Sequence, residues 1–200
     1  MTYFKYALLI LATAFVFGCA APGPKYINLA YTGTPEADTP STLGISRFED
    51  KRDGHSKGGI GHRTLNDKTK EVFLVPGLDL AGTLTDLTQT FIEKKGLTVK
   101  PVHHWTPTIE GLAAAQADTD YLLTARINAF HCTAQKKGAL TEMTLEIDLT
   151  FFQGKPASKT LTSIPVNLTL TRTDVNFTRE KVETFFNDTL AEVLEKGLTF

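Results

Sequence analysis

The most constraining stretch of this chain is Met143 to Phe152. Apolar and polar residues alternate there without a break: Leu145, Ile147, Leu149 and Phe151 against Glu146, Asp148 and Thr150. A period of two is the signature of a half-buried β-strand. The runs on either side repeat it. Tyr121 to Cys132 sets Leu123, Ala125 and Ile127 against Thr124, Arg126 and Asn128, and Lys159 to Thr171 sets Ile164, Val166, Leu168 and Leu170 against Asn167 and Thr169. Lys136-Lys137-Gly138 and Gln153-Gly154-Lys155-Pro156 separate the runs and read as turns. Pro165 cannot donate a ladder bond, so the third run belongs at an edge or a bulge. Together the three predict an antiparallel meander with one dry face and one wet one.

The dry face needs a cover, and two apolar stripes supply it. Over Asp79 to Lys95, Leu80, Leu84, Leu87 and Phe91 recur at helical spacing; Lys94 and Lys95 suit the negative end and Gly96 the stop. A last helix, Arg179 to Lys196, begins after the cap Thr178 and carries Val182, Phe185, Phe186, Leu190, Val193 and Leu194. Thr106-Pro107 reads as a cap and first turn of a shorter helix running to about Ala117. Thr42 to Phe48 reads as the first strand, with Leu43 and Ile45 on one face, and Leu97 to Val102 as a strand parallel to it. Between them lies a polar, glycine-containing stretch, Glu49 to Lys70, expected to be mainly a loop, with a short pairing near Gly61 to Leu65 left open. Loops this long are usually functional or disordered. The expectation is an α+β fold with an α/β-like start: a mixed sheet of about five strands, helices packed on one face, order β-loop-α-β-α-β-β-β-α.

Ala7 to Phe17 is apolar apart from Thr13, about eleven residues, whereas a membrane-spanning helix needs about 20. That length suits the h-region of an export signal. Val16-Phe17-Gly18-Cys19 follows the pattern of a lipobox, which makes Cys19 the attachment point for acyl chains; cleavage as a plain secretory signal after Ala20 or Ala21 is the alternative. Two or more chains hold a protein on a membrane firmly. No Asp follows the cysteine, which favours the outer membrane, facing the periplasm. Ala20 to Ser41 contains Pro22, Pro24, Pro35 and Pro40 and no periodicity, the composition of a stiff tether with a reach of at most ~70 Å. The expected organisation is a signal peptide over 1–18, a tether over 19–41 and a single domain over 42–200.

The net charge of −1 has its signs interspersed, without the basic stripe that nucleic acid requires. With Cys19 acylated, Cys132 has no disulfide partner in the chain and reads as a buried small hydrophobe. A metal site would have to draw on separate segments, such as His103, His131 and Cys132; His103 and His104 are adjacent on a strand and face opposite ways. No metal and no cofactor are expected. Trp105 reads as a cover for the core rim. Gly59-Ile60-Gly61 lacks the third glycine and the following helix of a dinucleotide loop. No nucleophile elbow is present, so the domain is expected to be non-enzymatic. The candidate binding residues are Asp50, Arg52, Gly59, Gly61 and Arg63, all in the Glu49 to Lys70 stretch.

The export pattern, the proline-rich segment, Phe48-Glu49-Asp50-Lys51-Arg52, Gly59-Ile60-Gly61-His62-Arg63, the Glu93-Lys94-Lys95-Gly96 helix end and Ala117-Asp118-Thr119-Asp120-Tyr121-Leu122 together resemble the YajG-like family of bacterial envelope lipoproteins. The resemblance covers Leu43 to about Leu194 and implies an anchored domain without a settled activity. Its partners would be membrane lipid through Cys19 and another envelope protein or peptidoglycan. The accessory lipoprotein of an envelope lipid-transport system has a similar organisation and is the alternative.

Overall fold

The computed structural model describes residues 23–53, 58–103, 105–115 and 118–200. The meander is its spine. Strands β7 (Tyr121–Lys137), β8 (Leu140–Lys155) and β9 (Thr160–Asp174) pair antiparallel along their whole length. Lys137 pairs with Leu140, so the β7–β8 turn is two residues long, and Gly138 supplies the positive φ of 65° that such a turn favours. β9 pairs with β8 alone, as expected for a strand holding Pro165.

The other edge of β7 carries three short strands in succession, all parallel to it: β2 (Thr42–Ser46), β3 (Glu49–Asp50) and β4 (Gly59–Thr64). Beyond β2 lies β6 (Thr98–Val102), parallel as expected; beyond β4 lie β5 (Lys70–Leu74) and then β1 (Lys25–Tyr26). The described residues form one mixed sheet of nine strands. The stretch expected as mainly a loop carries two strands, β3 and β4, the second at the short pairing left open near Gly61, and β4 turns into β5 through Leu65 to Thr69. Glu71 to Val75, which follows that stretch, is mostly β5.

A bulge lets β7 serve its core from end to end. Ile127 pairs with Leu149 and Ala129 with Asp148, leaving Asn128 as the extra residue. Before it, Leu123, Ala125 and Ile127 face the core; after it, Phe130, Cys132 and Ala134 do. An uninterrupted period of two would turn Phe130 toward water and forfeit about 2–3 kcal/mol of burial.

Helices α1 (Leu80–Lys94) and α3 (Arg179–Gly197) cover that face. Asp79 caps α1, accepting from Gly82 N at 3.0 Å, and Thr178 caps α3, accepting from Lys181 N at 3.3 Å. The short helix α2 (Ile109–Ala114) starts later than expected, capped by Thr108 instead of Thr106. It also packs on the opposite face, which corrects the expectation that all helices share one face. Its Leu112 joins Trp105 and Leu122 in a second small core, with Phe152 beside it. Gly44 and Gly154 admit this layer: a Cβ on Gly154 would stand 2.6 Å from Leu112 Cδ1 and 3.0 Å from Trp105 Cζ2.

Part of the segment expected as a tether is docked. Residues 25–38 form a strap docked on the domain. Ile27 is fully buried and donates its N–H to Leu74 O at 2.8 Å; Asn28 and Ala30 donate theirs to the side chains of Glu183 and Asn187 on α3. Tyr31 meets Phe91 edge-on at 5.0 Å and donates to Glu195 at 3.2 Å; burial first, and then this carboxylate, push its hydroxyl up to about 12. Asp38 pairs with Lys95 at 2.8 Å. Ile27 and Tyr31 remove apolar surface from water and so hold the strap on the domain, with Pro35 half-buried and Pro40 exposed.

Candidate functional site

Of the candidate residues taken from sequence, Cys19 lies outside the described residues. The five in the Glu49 to Lys70 stretch do not form one exposed loop. Arg52 is an interior residue, its side chain 2% exposed. Its guanidinium grips Asp50 through two bonds of 2.8 Å and donates to Gly59 O at 2.6 Å and Phe130 O at 3.1 Å. It thereby ties β3, the start of β4 and the middle of β7 together. Gly61, at φ 143°, sits where a Cβ would stand 2.0 Å from Cys132 O, so glycine is needed for β4 to approach β7. Gly59 is buried and pairs with Leu74 across the irregularity at the start of β4. Arg63 differs: half-buried, it lies over the Phe177 ring at 4.1 Å.

His131 and Cys132 face opposite sides of β7. His131 lies 5.6 Å from His62, ring to ring, whereas Cys132 points into the core, where burial pushes its thiol up to about 12. His62 is lowered by partial burial and then by Lys70. His103 ends up beside the second core, and His104 lies outside the described residues. Among the described residues no three His, Cys, Asp or Glu side chains converge as a metal would need.

The most developed concavity lies on the α2 face, where the chain steps from β2 to β3. It is a cleft of about 480 Å³, within the range of small-ligand sites. Thr124 and Ala125 of β7 lie at its base; Trp105, Pro107 and Phe152 supply apolar walls; Arg47, Glu49, His103 and Arg126 bring charge or polarity. The bulge comes after Arg126, so this residue still shares the parity of Leu122 and Thr124 and faces α2. Its guanidinium lies 5.3 Å from the Phe152 ring and 3.7 Å from Glu49 Oε2. Arg47 pairs with Asp79 at 2.6 Å. Trp105 is 3% exposed, and its indole N–H has no hydrogen-bond partner among the described residues. Two guanidiniums beside aromatic walls can hold an anionic group carried on an apolar or planar body. Sequence reasoning passed over Arg47, Arg126 and Phe152. The readable signal was Phe151-Phe152, two aromatics in succession on one strand, which demand an apolar cover on both faces.

No family model matches this sequence, and no curated protein matches it significantly. Solved structures do match. An uncharacterised protein superposes with a TM-score of 0.51 at 12% identity over 88% of this chain and 95% of its own. The two share a fold. Protein XCC0632 from Xanthomonas campestris, assigned to the DUF330 family model, gives 0.46 at 14% identity over 86% and 89%. Lipoprotein GNA1162 from Neisseria meningitidis gives 0.39 at 10% identity over 77% and 98%.

Proposed function

We propose that this chain is a YajG-like lipoprotein of the bacterial envelope, acylated at Cys19, held on the outer membrane facing the periplasm, and that its domain binds a partner and performs no chemistry. The anchor rests on Val16-Phe17-Gly18-Cys19 after a short apolar run. The binding role rests on one observation, the cleft between Trp105 and Phe152 with Arg47 and Arg126 at its rim. The partner it suits is another envelope protein that offers an acidic segment with an apolar neighbour; peptidoglycan carboxylates are the competing occupant.

The test has two readouts. Mass spectrometry of the mature protein should find a diacylglyceryl and an N-acyl chain on Cys19; an unmodified terminus removes the anchor. Crosslinking in intact cells should capture one partner with the wild type and lose it with Arg47→Glu combined with Arg126→Glu, while Lys196→Glu, on α3 across the sheet from the cleft, retains it. Capture indifferent to the arginine pair removes the cleft reading. Turnover of a substrate by the purified domain removes the non-enzymatic one.

A further inference from the structure

The docked strap fixes where the anchor leaves the domain. β1 runs parallel to β5, with Lys25 facing Phe73, so the chain before Lys25 heads toward the end of the sheet where β5 begins at Lys70. Thr64 pairs with both Lys70 and Gln135, Lys137 with Leu140, and Thr141 with Asp174. These registers place the β4–β5 turn, the β7–β8 turn and the β9–α3 loop at that same end. From Cys19 to Gly23, the first described residue, is four residues. At about 3.3–3.6 Å each they reach about 14 Å at most. The strap is committed to the domain, so the ~70 Å stand-off of a free tether is lost.

The chemistry of that end suits a lipid surface. Lys68, Lys70 and Lys136 are exposed, and no ion pair holds them among the described residues. Most acids nearby are paired with a cation: Glu142 with Lys137, Asp174 with Arg172 and Lys181, and Glu71 with Lys25. Asp67, which bonds only to Thr69, and exposed Glu180 on the first turn of α3 keep their negative charge, and the cations of this end outnumber them. Two large apolar side chains stand out beside them, Leu140 at 41% exposure on the hairpin and Val175 at 65% on the β9–α3 loop. Lysines flanking projecting apolar residues fit the boundary between anionic headgroups and acyl chains.

We propose that this end of the sheet, with Lys68, Lys70, Lys136, Leu140 and Val175, rests on an anionic lipid surface and sets the orientation of the domain on its membrane. The proposal deepens the anchored-lipoprotein reading, in that residue 19 is its point of attachment.

The test supplies the anchor chemically, so that failure of cellular acylation and failure of this surface are read separately. The mature chain, residues 19–200, is coupled through the Cys19 thiol to maleimide lipid in vesicles of 70% zwitterionic and 30% anionic lipid; the thiol of Cys132 is buried and stays uncoupled. Amide hydrogen exchange is followed with and without coupling. Peptides over 136–141 and 174–177 should exchange at least about threefold more slowly on the vesicles, while the α2 peptide 109–115 should not change. Lys68→Glu, Lys70→Glu and Lys136→Glu together should abolish the slowing without loss of coupling. Unchanged exchange at the hairpin of the coupled wild type overturns the proposal. So does equal slowing on purely zwitterionic vesicles, and so does slowing that survives the triple charge reversal.

Discussion

Arg52→Ala tests whether the Asp50–Arg52 pair is a recognition element or an internal clamp. The guanidinium is enclosed, and its removal takes the ion pair from the Asp50 carboxylate, which keeps the Arg52 N–H at 3.2 Å, and one donor each from the carbonyls of Gly59 and Phe130. Breaking a buried pair from one side costs about 3–5 kcal/mol. Asp50 keeps 25% of its side chain in water, and solvent softens its share. The two carbonyls add a desolvation cost of about 1 kcal/mol or more each. The net expectation is a loss of about 3 kcal/mol, which for a domain of this size lowers Tm by about 6–12 °C. Arg52→Lys keeps the charge but cannot fork to Asp50 and both carbonyls, so it should recover less than half of the loss. The assay is thermal unfolding followed by circular dichroism, with partner capture measured well below the lowered midpoint. Capture should be unchanged there. A fall of less than 3 °C for Arg52→Ala, or a full midpoint with lost capture, would refute the clamp.

Gly61→Ala should be more damaging still, because β4 must move off Cys132 O; loss of at least about 3 kcal/mol, read as failure to recover folded protein or a collapsed denaturation midpoint, is expected. Gly154→Ala should spare the main core and disturb the α2 layer, so Trp105 emission should shift red with a loss of about 1–3 kcal/mol. The Cys132 thiol, pushed up to about 12, should resist disulfide reagents at pH 8 until the protein is unfolded. A group raised in the folded state stabilises below its unfolded pKa and loses that contribution as pH rises through the folded value. Stability should therefore fall between about pH 9 and 12, and urea midpoints of Cys132→Ala should fall less over that window; Tyr31, also raised to about 12, accounts for the remainder.

The elements with a complete local pattern were legible. α1 and α3 carry uninterrupted helical stripes, and Asp79 and Thr178 are good caps, so both helices fall within a residue or two of their expected ends. β8 and β9 carry strict alternation, and Pro165 marked the edge correctly. What escaped was set by pairing partners far away in sequence. Gly59 to Thr64 has no alternation to announce a strand; it is one because Arg52 and β7 hold it there. β1 spans two residues beside prolines, and nothing local reveals that Ile27 and Tyr31 have a groove waiting between α1, β5 and α3. The bulge at Asn128 was hinted at by apolar parity, odd through Ile127 and even from Phe130, but a count of alternation within a short window does not register the change. The cleft escaped for the same reason. Arg126 and Phe152 look like solvent-face residues until α2 is known to cross that face.

The strap also determines how the molecule responds to pulling. Tension applied through residue 19 enters along the axis of β1, loading its bonds to β5 in shear. Ile27, Tyr31 and the Asp38–Lys95 pair come next in line, while the β7–β9 meander lies beyond Thr42 and is loaded last. Such a pull would thus detach a narrow ribbon first, baring an apolar furrow beside α1 and α3 while leaving the rest of the body standing.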